Sequence, residues 1–148
     1  MRKIVTWVVV ADHQHAQVFN HDGPGHGIHR VEGMTFETHL DRSHDLMTDR
    51  PGRKAGVGGA MRSMTPASDP HRAAGEKFIA GISAEIAKAA TRKAFERLVL
   101  IAPPRALGEI RKALPDRVRK MVTAEIDEDL TKADENDLAD RLADVLPI

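Results

Sequence analysis

Apolar and polar positions along this chain follow two different rhythms. Residues 4–10 read Ile-Val-Thr-Trp-Val-Val-Val, almost unbroken in apolar, β-branched character. A strand wet on one face would alternate, so this run predicts a central strand covered on both faces. Residues 16–20 (Ala-Gln-Val-Phe-Asn) predict a second short strand. The polar tetrad Asp12-His13-Gln14-His15 between the two predicts a hairpin turn. Turn-forming residues crowd positions 21–27. Residues 28–36 then alternate only weakly, which predicts an edge strand with a bulge at Gly33.

From about 39 to 67 the periodicity disappears. Gly52, Gly56, Gly58, Gly59, Pro51 and Pro66 fall here with several charges and few large apolar residues. That composition predicts a long flexible loop, and a loop this long within a compact domain is either functional or disordered. Order resumes at Ser68-Asp69-Pro70, where Asp69 suits a helix N-cap and Pro70 the first helical position. Phe78, Ile79, Ile82, Ile86, Ala89 and Ala90 recur at helical spacing, predicting a helix over about 70–94. Residues 97–102 predict another buried strand, stopped by Pro103-Pro104. Residues 106–114 predict a short amphipathic helix with Leu107, Ile110 and Leu114 inward. Val118, Val122 and Ile126 fit a helix, yet alternate residues there also fit one strand face. The break at Pro115-Asp116 favours a strand near 119–126. Thr131-Lys-Ala-Asp134 has the form of a capping box and predicts a last helix to about 145.

The expected order is therefore β-β-β-α-β-α-β-α: an α/β chain forming a single domain over 1–148, with helices packed on a mixed sheet of about five strands. Ribonuclease H-like folds share that order, which by itself carries no function. The 148 residues suffice for one core. The absence of cysteine excludes disulfide scaffolds, thiolate zinc sites and cysteine nucleophiles. The opening apolar run is too short for a secretory signal, and no stretch approaches a membrane span, so the expected location is the cytoplasm. Net charge is zero, but residues 105–120 hold six basic against two acidic residues, and 125–144 hold nine acidic against two basic. The plain interpretation is two oppositely charged solvated surfaces.

Four features carry candidate chemistry. Arg50, Arg53, Lys54 and Arg62 stand in a stretch with Gly58 and Gly59 and no acid. Glycines let a backbone approach phosphates, and arginines grip them bidentately, so the stretch is a candidate RNA or anion contact. It is not a P-loop, because no Gly-Lys-Ser/Thr ending follows. All eight histidines lie in the first 71 residues. Asp12, His13 and His15 share one turn, with His13 and His15 expected on the same side of an extended segment, and form the candidate metal set. Surface histidines without a ligand are the plainer account. The 4–10 strand contains no acid, and no carboxylate cluster forms the two-metal centre a nuclease needs. Finally, Ala102-Pro103-Pro104-Arg105 ends a strand at a helix start, where Arg105 could face an anion, or simply makes a rigid connection. No cofactor is expected.

Several stretches carry a family resemblance: Trp7-Val-Val-Val-Ala-Asp12, Ala16-Gln-Val-Phe19 and Asp22-Gly-Pro-Gly25, then Leu100-Ile-Ala-Pro-Pro104, Leu107-Gly-Glu-Ile-Arg111-Lys-Ala-Leu114 and Glu125-Ile-Asp-Glu-Asp-Leu-Thr131. Together they resemble the bacterial host-attachment protein family, across nearly the whole chain and in order. That family is related in fold to the middle domain of archaeo-eukaryotic release factors, which carry a Gly-Gly-Gln loop ahead of a long helix. Gly58-Gly59 occupies the comparable place, but Ala60 stands where the glutamine would be. The resemblance thus implies a non-enzymatic module contacting RNA or the ribosome. The alternatives are a metal-assisted phosphoesterase or peptidyl-tRNA hydrolase-like enzyme, and a regulatory or scaffold protein. It names no protein partner.

Overall fold

The unbroken apolar run near the N-terminus becomes strand β1, Thr6–Ala11, and every residue of it is buried. The computed structural model describes residues 4–38 and 70–146. β1 lies at the centre of a five-stranded sheet of order β3-β2-β1-β4-β5, with β2 at His15–His21, β3 at His29–Glu37, β4 at Arg97–Ile101 and β5 at Val122–Ile126. β1 pairs antiparallel with β2 and parallel with β4, and β4 pairs parallel with β5. The sheet is therefore mixed, as the element order predicts, and β3 is an edge.

Both faces of the sheet are covered, which explains the lack of alternation in β1. Trp7, Val9 and Ala11 face helix α1 (Pro70–Thr91) and helix α2 (Pro104–Ala113), packing with Ile79, Ile82, Ile86, Leu107 and Ile110. Val8 and Val10 face the other way, against Leu138 and Leu142 of the last helix. The bulge falls where glycine marks it. The β2–β3 register slips between Gln17 and Phe19, and Gly33 on the longer side takes φ +82°. An L side chain is strained in that conformation.

Several boundaries differ from expectation, among them the end of the last helix, which comes at Leu142 and not near 145. Helix α1 ends at Thr91 and not near 94, because Lys93 turns left-handed at φ +60°. The amides of Lys93 and Ala94 bond back to the carbonyls of Ala90 and Ala89, closing the helix in a Schellman-type cap. Glycine normally occupies that position, so the stop is silent in the sequence. Next, the strand expected at 119–126 begins only at Val122. Pro115 caps a one-turn helix α3, Asp116–Arg119, which turns Val118 into the core. Finally, Asp134 and not Thr131 caps the last helix α4 (Glu135–Leu142), its carboxylate accepting from the Asp137 amide at 2.8 Å. The Thr131 hydroxyl instead donates to Asp129 Oδ1 at 2.6 Å and approaches Asp12 Oδ2 at 3.3 Å.

Candidate functional site

β1 and β4 run parallel, so their carboxyl ends share one end of the sheet, the usual place for a ligand crevice in α/β folds. β1 leads there into the Asp12–Gln14 turn. The Asp12 carboxylate holds that turn by accepting from the Gln14 and His15 amides at 2.8 and 2.7 Å. β4 leads into α2, whose N-cap is Pro103 and whose first residue is Pro104; no side chain caps this helix. α1 begins at the same end. A cleft of about 420 Å³ lies between these elements, lined by Asp12, His13, Gln14, His71, Arg72, Gly75 and Arg105.

The walls of the cleft are tied together by a short polar chain. His13 Nε2 lies 2.7 Å from Glu109 Oε1, and Arg105 donates Nε to Glu109 Oε2 at 3.1 Å. Burial pushes the Glu109 carboxyl up, but the bonds and charges of His13 and Arg105 outweigh it and hold the group below the usual carboxylate range. Glu109 thus fixes an imidazole from the β1–β2 turn and a guanidinium from its own helix. Behind His13 stands Gly75 of α1. A methyl group there would lie 3.2 Å from the His13 Cβ and Cδ2.

That close approach predicts different outcomes at two glycines of one helix. Gly81 is exposed, with open space around it. Gly81→Ala should stabilise the protein by about 0.5–1 kcal/mol through helix propensity. Gly75→Ala should give no such gain, because the His13 ring it would press is held by Glu109. Thermal denaturation of the two variants checks this; equal stabilisation would mean that His13 yields freely.

Of the residues singled out from sequence, Arg105 lines this cleft, as do Asp12 and His13. Arg50, Arg53, Lys54, Gly58, Gly59 and Arg62, with the whole 39–67 stretch, lie outside the described residues. His13 and His15 do not act as a pair. His13 reaches Glu109, whereas His15 Nδ1 sits 3.4 Å from Asp12 Oδ1 and its Nε2 4.0 Å from Glu37. The turn backbone at 13 is not extended, so the two-residue period that would align them does not apply. Among the described residues no group of three His, Asp or Glu side chains is placed to hold a metal ion. The basic 105–120 stretch is interleaved with partners: Arg111 with Glu125, Arg119 with Asp116, and Arg117 with the Thr91 hydroxyl. The Arg111–Glu125 pair joins the basic stretch to the acidic one, so the two are not separate surfaces. Glu109, His71, Arg72 and Gly75 are not legible as site residues in the sequence. The one local sign is that both helices beginning on a proline carry basic residues in the first turn.

Among the described residues no helix is long and apolar enough to cross a membrane. The architecture is an α/β domain with a polar cleft at its strand ends, and a solved structure shares its fold. The crystal structure of an archaeal translation termination factor matches with a TM-score of 0.55 at 10% identity, over 96% of this chain and 35% of that one. A structure described as an archaeal protein matches with a TM-score of 0.45 at 10% identity, over 84% of this chain and 30% of the other. The chain therefore spans about a third of the length of these neighbours, and the likeness to the termination factor is one of fold. No curated protein matches by sequence. Residues 7–142 match the family described as "Protein required for attachment to host cells", and the chain belongs to that family.

Proposed function

We propose that this protein is a non-enzymatic binding module that contacts RNA, that of the ribosome foremost, through the basic glycine-rich stretch 50–62. The observation that carries this reading is the cleft beside the two elements that flank the stretch in sequence, β3 and α1. The Thr38 amide bonds the Gln14 carbonyl at 2.8 Å, and α1 restarts with His71 and Arg72 on the wall of the same cleft. The stretch holding Arg50, Arg53, Lys54 and Arg62 thus joins, in sequence, two elements that meet at the cleft lined by Arg105. The shared fold with a factor named for translation termination agrees with an RNA-rich partner. Ala60 in place of a glutamine removes support for release-type hydrolysis, so contact without turnover is the function favoured.

Co-sedimentation with ribosomes at increasing salt tests it. Binding should weaken steeply with salt, and replacing Arg50, Arg53, Lys54 and Arg62 together by alanine should reduce the logarithmic salt slope by about 3. An unchanged slope in the fourfold variant would remove the stretch from the interface.

A further inference from the structure

We propose that the cleft between α1 and α2 is a seat for a phosphomonoester, the terminal phosphate of a nucleotide or of an RNA end. This deepens the RNA reading, on which it rests, by naming what the described part of the chain would recognise. The cleft, of about 420 Å³, has room for a nucleotide-sized group. Two helices supply guanidinium donors to it, Arg72 from α1 and Arg105 from α2, while His13 of the turn is engaged with Glu109.

Both arginines are set for an anion. Arg72 donates Nε to Glu76 and Arg105 donates Nε to Glu109, each four residues on in its own helix. Those bonds engage Nε of each guanidinium, and both side chains line the cleft. A guanidinium so engaged presents its remaining N–H groups to phosphate oxygens with little further ordering.

The helix chemistry points the same way. A cation near a helix N-terminus opposes the macrodipole, and acids are the ordinary choice there. α3 carries Asp116 in its first turn, and α4 carries Glu135 and Asp137 behind the Asp134 cap. α1 and α2 carry no acid in theirs, and instead place His71, Arg72 and Arg105 at the cleft. Glu76 and Glu109 offset part of that charge from the second turn, and a bound dianion would engage what they leave. Asp12, the one carboxylate of the lining, is turned to other work: Oδ1 accepts from two backbone amides and Oδ2 faces the Thr131 hydroxyl.

The class of ligand follows from the make-up of the lining. Among the described residues no Phe or Trp lines the cleft, so it offers no stacking platform for a base. Recognition falls to the phosphate. A terminal phosphate has three free oxygens and up to two charges, enough to engage both guanidiniums at once, whereas an internal diester has one charge and two free oxygens.

Fluorescence anisotropy with the full chain tests the proposal, using one short oligoribonucleotide with either a 5′-phosphate or a 5′-hydroxyl. The 5′-phosphorylated form should bind at least about tenfold more tightly, the loss expected when a charged hydrogen-bonded group is removed. Adenosine monophosphate and inorganic phosphate should both compete. Arg72→Ala and Arg105→Ala should each abolish the preference while leaving the fold intact by circular dichroism, because both side chains are about half exposed. The variant lacking Arg50, Arg53, Lys54 and Arg62 should keep the preference ratio even if overall affinity falls. Binding of the monophosphate without binding of either oligonucleotide would support the seat and reject the RNA reading. Equal affinity for the two ends, or a preference that survives both arginine variants, would overturn the seat.

Discussion

Phe95→Ala is expected to destabilise the protein by about 3–5 kcal/mol, the usual cost of emptying a large aromatic site in a core. Phe95 is 2% exposed and sits in the link between α1 and β4, where its ring meets Trp7 at 5.0 Å between centroids and 32° between planes. Two effects add. The first is lost burial and the cavity left behind. The second is lost ring–ring contact, about 0.5–1.5 kcal/mol beyond area alone. Collapse around the cavity is resisted because the backbone on its C-terminal side is pinned: the amides of Glu96 and Arg97 both donate to the Val5 carbonyl at 2.8 and 3.1 Å. A domain of this size has only about 5–15 kcal/mol in total, so the variant should unfold at far lower urea. Trp7 is the single tryptophan in a chain with no tyrosine, so its fluorescence reports this core directly. Phe95→Leu, which keeps most of the volume, should cost much less. A loss below about 1.5 kcal/mol for the alanine variant would mean that the site collapses, contrary to the pinned geometry.

Glu109→Gln is expected to cost about 1 kcal/mol at neutral pH, the scale of a charge-assisted bond discounted for solvent. It removes the charge that holds both His13 and Arg105 at the cleft while preserving shape. The sign of the pH dependence follows from the lowered pKa of Glu109. A carboxyl held below its unfolded value stabilises the fold fully above that value, and the contribution fades as pH falls through the folded one. The gap between wild type and variant should therefore be present at pH 7 and shrink toward zero as the medium becomes acidic enough to protonate Glu109. Urea midpoints measured from pH 7 to about 3 check this, since the ordinary glutamate value is about 4.3. A gap that stays constant with pH would show that Glu109 acts by packing and not by charge.

Much of the fold is legible in the order of the residues. The apolar run of β1 predicts a strand covered on both faces, and it lies between α1 and α2 on one side and α4 on the other. Gly33 predicts the bulge, and Pro70 the helix start. The boundaries that differ share a cause. Lys93 adopts a conformation that nothing in its chemistry announces, since a lysine at φ +60° is held by the chain around it. Pro115 suggests a break before a strand, but proline also starts helices, and the core contact of Val118 decides between the two. Thr131 and Asp134 have the spacing of a capping box, yet Asp134 is a good cap by itself, leaving Thr131 to meet Asp129 and Asp12.

By itself the sequence determined the α/β class, the order of elements, the edge and central strands and the basic stretch at 50–62. Each of these is written in local periodicity or composition, because burial of one strand or helix repeats at a fixed spacing along the chain. The cleft was decided only by the tertiary structure. His13 and Glu109 are 96 residues apart, and Gly75 closes on His13 from a third element. They meet because β1 and β4 run parallel and end together, with two helix starts above them. No local pattern records such a meeting, since it follows from how the elements cross and not from how each is built.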